Sequence, residues 1–211
     1  MSRQATTAQE RIRVSPDPAE PFAARIIGWV LAIGGAIGAA AALTLTIEKI
    51  NVLTDPSYRP SCSINPILSC GSVMSTPQAA AFGFPNPLIG IIGFSVVTTI
   101  GVAVLAGARL PRWFWLGLQI GAAFGLGFVH WLIFQSLYRI GALCPYCMVV
   151  WVVTIAIFWY VTLYNIHHEQ LFATRGTALL RYHTVVLTTW YLIVVALIGE
   201  QFWFYWRTLL T

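Results

Sequence analysis

"CPYCMVVWVVTIAIFWYVTLYN", residues 144–165, is an uncharged run that opens on two cysteines. A helix needs roughly 20 apolar residues to cross the hydrocarbon core of a bilayer, and this run has that length. Four more runs of similar character flank it, at about 24–47, 87–107, 113–137 and 184–206. The whole chain of 211 residues is 58% hydrophobic and only 9% charged. A soluble domain carries about 25% charged residues, so the composition excludes that class. The sequence therefore predicts an all-α integral membrane protein with five transmembrane helices.

Between the runs lie polar segments. Residues 1–22, with "RVSPDPAEP" at 13–21, read as a disordered tail. Residues 48–86 form a mixed loop, and 166–183 a polar one. The net charge of +5 comes from scattered residues, all Arg apart from Lys49. They read as topology signals, so membrane lipid is expected as a partner and nucleic acid is not. With the N-terminus inside, eight basic residues lie inside (Arg3, Arg11, Arg13, Arg25, Arg109, Arg112, Arg175, Arg181). Four lie outside (Lys49, Arg59, Arg139, Arg207). That excess favours an N-in, C-out arrangement, with 1–22 and 166–183 cytoplasmic and 48–86 extracytoplasmic.

The four cysteines sit at or near run ends. Cys62 and Cys70 lie in the first loop, and Cys144 and Cys147 open the fourth span. Two crossings separate the loops that hold them, so both pairs face one compartment. If that compartment is extracytoplasmic, disulfides can persist there. At a helix start the free N–H groups and the macrodipole stabilise a thiolate. Pro145 suits the first helical turn. Cys147 is about one turn further on, on the same side. Cys144 is therefore expected at the aqueous edge and Cys147 in the bundle interior. Cys62 and Cys70, spaced C-x7-C, read as a mobile dithiol able to exchange with a partner protein. Two other readings stand beside this one: a four-cysteine zinc site, for which a spacing of seven is too long, and inert structural disulfides.

The order of motifs is similar to that of the vitamin K epoxide reductase family, bacterial homologues in particular. It comprises C-x7-C in the first loop, "CGSVMST" at 70–76, "FGFPNPLIG" at 82–90 and "CPYC" at the fourth span. The resemblance covers about 24–165. It implies a four-helix bundle around a quinone (menaquinone or related), with a short surface helix at about 71–82 capping the pocket. By the same resemblance Cys62 and Cys70 are a shuttle pair and Cys144 and Cys147 the active-site pair. Asn86 stands where the family has a quinone-binding Asn. Ser75 or Thr76 falls where members carry a hydroxyl. Trp151 stands in the place of the aromatic ligand that is Tyr in vertebrate members. Bacterial homologues often carry a thioredoxin-like domain after a fifth helix. Here the chain stops after the fifth span, so a separate thioredoxin-like (DsbA-type) partner is expected, at a bacterial inner membrane.

The implied activity is that of a membrane thiol–quinone oxidoreductase supporting disulfide formation. Alternatives are a DsbB-type oxidase, whose cysteine pairs come in the opposite order, and a zinc-binding scaffold or transporter subunit. His130, inside the third span, reads as hydrogen-bonded to a neighbouring helix. The stripes Gly34/Gly38 and Gly117/Gly121/Gly125 read as close-packing faces.

Overall fold

The computed structural model describes residues 19–55, 57–169 and 182–210. Helix α1 is Ala19–Thr54, α2 Cys70–Met74 and α3 Pro87–Leu105. Helix α4 is Arg112–Gln135, α5 Pro145–Glu169, α6 His183–Gln201 and α7 Trp203–Leu210. Five of these, α1, α3, α4, α5 and α6, are long and apolar enough to cross a membrane. Prolines stand at the first positions of α3 and α5, where a missing N–H costs nothing. The tail expected over 1–22 lies outside the described residues as far as 18, as do Arg3, Arg11 and Arg13. Residues 170–181, with Arg175 and Arg181, lie outside them too.

Helix α1 packs along both α3 and α5, and α5 packs along α4. Among the described residues no comparable packing joins α3 to α4. The four helices are thus closed on three sides and open on the fourth. Ile27, Leu31, Phe94, Ile100, Trp115, Val153, Ile157 and Val161 form the main core. The α1–α3 seam is tight because of glycine. A methyl on Gly38 would meet the Phe94 ring, and one on Gly101 would land on the Ala32 backbone. Between apolar helices in lipid there is no hydrophobic drive, so such close approach supplies much of the attraction.

Four expectations need correction. Helix α1 does not stop near residue 47 but runs to Thr54, so Glu48 and Lys49 are helical. The buried Glu48 carboxylate finds its hydrogen-bond donors in the returning loop, which lets the helix carry a charge there. The surface helix expected at about 71–82 is two pieces, α2 and a 3-10 turn at Pro77–Ala80. Thr76 between them is extended (ψ 152°), the conformation that a following proline enforces. The fifth run breaks at Phe202, which is buried against Ile133, Leu137 and Trp151, and restarts as α7. Finally, Gly117 and Gly121 on α4 face open space, and of that stripe only Gly125 meets another helix, at the Thr154 side chain, so it is no continuous packing seam.

Helix α6 lies outside the bundle and is held by polar contacts. Trp190 Nε1 donates to His130 Nε2 at 3.1 Å, Tyr191 Oη to Val152 O at 2.9 Å, and Trp159 Nε1 to His183 O at 3.1 Å. His130 Nδ1 lies 2.9 Å from Leu126 O, so both ring nitrogens are engaged and the ring joins two helices.

Candidate functional site

The loop between α1 and α3 is folded by local hydrogen bonds before it meets the bundle. Asn65 Oδ1 accepts from the N–H groups of Ile67 and Leu68 at 3.0 and 2.7 Å, making a tight Asx turn. Leu68 then pairs with Leu143 in an isolated parallel β-bridge. Ser69 N donates to Leu143 O at 2.8 Å and Leu143 N to Ile67 O at 2.7 Å. Ser69 caps α2, accepting from Ser72 N at 3.2 Å, and Cys70 is the first helical residue. The bridge therefore lays Cys70 directly beside Cys144, the residue after Leu143.

Cys62 and Cys70 are joined as a disulfide. Cys144 and Cys147 are free thiols. The Cys70 and Cys144 sulfurs are 3.1 Å apart, within contact. Leu45 and Met74 close around this cluster. Cys144 does not face the aqueous edge, as its place at a helix start suggested. It is 1% exposed, because the bridged loop covers it. The loop cysteines are equally covered: Cys70 is fully buried and Cys62 nearly so. The Cys144 thiol is held below the ordinary thiol range, chiefly by a hydrogen bond from the Cys147 side chain. Burial opposes this, and the Cys147 and Tyr146 backbone N–H groups assist it. An acidified thiol at a helix start is the better nucleophile and the better leaving group near neutral pH.

Cys147 lines a cavity of about 380 Å³ enclosed by α1, α3, α4, α5 and the loop. That volume is in the range of small-ligand sites. Its walls are mostly apolar, including Phe94, Phe128, Val129 and Ile157. Val96 of α3 and Phe124 of α4 line it and yet are 53% and 56% exposed, so it opens sideways between those helices. Phe82, from the loop, leans on this doorway, with its ring 5.4 Å from Phe128 and 6.5 Å from Phe124.

The remaining residues proposed from sequence divide into two groups. Asn86 and Trp151 are on the cavity wall. Asn86 Nδ2 donates to Gln78 O at 2.7 Å and its Oδ1 accepts from Ala81 N at 2.9 Å, which ties the cap over the cavity. One Nδ2–H is left for a ligand. The indole of Trp151 is 2% exposed, and its Nε1 has no hydrogen-bond partner. Such a buried orphan donor costs about 1–3 kcal/mol, and the residue that carries it shares the cavity wall with Asn86 and Cys147. Ser75 and Thr76 are not on the wall. Their hydroxyls turn back to Ser72 O and Val73 O at 3.0 and 2.7 Å, capping the end of α2.

Glu48 and Lys49 are polar residues that the sequence reading passed over as loop. Tyr58 Oη donates to Glu48 Oε2 at 2.9 Å, and both the Ser61 hydroxyl and its backbone N–H donate to Oε1. Lys49 is on the cavity wall, and its Nζ donates to Met74 O at 2.7 Å. The available signal was an adjacent acid and base at the end of an apolar run, one turn past Leu45.

Comparison with known families gives one finding. The model of the Vitamin K epoxide reductase family matches residues 29–162, which include all four cysteines and the wall residues Asn86 and Trp151. A comparison with curated proteins found no match.

Proposed function

As the chain belongs to the vitamin K epoxide reductase family, whose members are membrane thiol–disulfide oxidoreductases acting with quinones, we propose that it oxidises an extracytoplasmic thioredoxin-like protein and passes the electrons to a membrane quinone. The observation that carries this is the sulfur chain. A disulfide, Cys62–Cys70, touches Cys144 at 3.1 Å, and Cys147 lines a lipid-side cavity.

In this reading the partner's thiolate attacks Cys62, the Cys62–Cys70 bond breaks, and the partner leaves with its own disulfide formed. The Cys70 thiolate then attacks Cys144 of a Cys144–Cys147 disulfide, and Cys147 departs as thiolate. Cys62 next attacks Cys70 in the Cys70–Cys144 bond. That restores Cys62–Cys70 and leaves a Cys144/Cys147 dithiol, the state of the sulfurs in this structure. A quinone bound beside Cys147 supplies the sink, taking up two electrons and two protons. Trp151 Nε1–H and the second Asn86 Nδ2–H donate hydrogen bonds toward it, and the apolar walls keep out water. The sideways opening between α3 and α4 supports entry from lipid. The surplus of basic residues in the inside segments supports an extracytoplasmic sulfur cluster on a bacterial inner membrane.

Cys147→Ala tests the relay. Cys144 then has no partner to close on, so it attacks Cys70, frees Cys62 and accumulates as a Cys70–Cys144 mixed disulfide. Quinone reduction stops. Mass spectrometry of linked peptides and quinone absorbance read both outcomes. Turnover at the unaltered rate in this variant would sink the proposal.

A further inference from the structure

Among the described residues, Lys49 is the one charged side chain on the cavity wall. It is half-buried on α1, and only one of its three N–H groups is engaged by Met74 O at 2.7 Å. The adjacent Glu48 serves a different segment, accepting from Tyr58 and Ser61. A charged side chain on the wall of an apolar cavity acts at low effective dielectric, where its charge is felt more strongly than in water. We propose that Lys49 binds the ligand of this cavity, selecting quinone-class molecules that carry negative charge on a ring oxygen. This rests on the quinone reading given above. It adds a cationic donor to the neutral donors of Asn86 and Trp151. The contact with Met74 O sets the position of the ammonium, because Met74 and Val73 also line the wall.

The role requires Lys49 to discriminate between ligands by charge and not merely to hold the cap in place. Menadione, an uncharged naphthoquinone, and lawsone, a hydroxynaphthoquinone ionised at neutral pH, separate these roles. Their affinities for the detergent-solubilised protein are read by quenching of tryptophan fluorescence. Lys49→Gln keeps a donor for Met74 O but loses the charge. Lawsone affinity should fall roughly tenfold or more, the value of a charge-assisted hydrogen bond, while menadione affinity changes less than about twofold. Lys49→Arg should restore most of the lawsone binding. Equal losses for both ligands, or none for either, would overturn the proposal and leave Lys49 as a fastening of the cap. An unaltered protein that binds lawsone no better than menadione would overturn it too. Failure of the unaltered protein to bind either ligand would instead remove the quinone reading, and this inference with it.

Discussion

Two glycine-rich helix faces look alike in sequence and behave in opposite ways. On the α1–α3 side, Gly38 meets the Phe94 ring and Gly101 meets the Ala32 backbone, so the helices touch with no room for a methyl. On α4, Gly117 and Gly121 face empty space, and Gly121 is part of the cavity wall. Small residues at a spacing of four give a helix a groove and nothing more. Whether the groove becomes a seam depends on whether a partner helix is brought up to it. Here α3 is occupied by α1, so α4 is left with its groove open at Gly117 and Gly121, although Gly125 meets Thr154 of α5.

Three substitutions test that contrast. The largest effect is expected for Gly101→Leu. A branched side chain against fixed backbone cannot be absorbed by rotamer changes, so destabilisation of about 3 kcal/mol or more is expected. Thermal unfolding in detergent would show it, and an unchanged midpoint would mean that the seam is looser than described. Next comes Gly121→Phe. The ring fills cavity space and displaces ligand contacts each worth about 0.8 kcal/mol per methylene. Menadione affinity should fall roughly tenfold or more with the thermal midpoint nearly unmoved. Parallel loss of both would assign Gly121 to packing after all. The smallest is Trp151→Phe, which keeps a ring and deletes the orphan Nε1–H. Ligand affinity should drop by about 1 kcal/mol, and the ligand-free protein should be as stable as before or slightly more so. A clear loss of ligand-free stability would show that the indole N–H has a protein partner.

Much of the architecture was legible because lipid imposes a simple rule. Apolar runs of bilayer length became helices α1, α3, α4, α5 and α6, and the placement of all four cysteines at one end followed from counting crossings. What failed to show was non-local. The Leu68–Leu143 pairing joins two short segments with no strand pattern of their own, and it is what buries Cys144. Glu48 reads as the end of a span until the Tyr58 and Ser61 donors are seen beside it. The break at Phe202 follows from burial against α4 and α5 residues, which hydropathy along one run does not encode. For the site, Asn86 and Trp151 were identified through family motifs. The geometry adds that the Trp151 Nε1 lacks a partner and that Ser75 and Thr76 point elsewhere.

The Leu68–Leu143 bridge is made by peptide groups, so its hydrogen bonds are indifferent to the oxidation state of the sulfurs. In the proposed relay, Cys70 is still tethered next to Cys144 when Cys62–Cys70 opens. Although 74 residues separate the two in sequence, the cost of bringing them together is met once, on folding, and not at every turnover. The hand-over proposed between them then runs at a high effective concentration set by the backbone, with no search by a free loop.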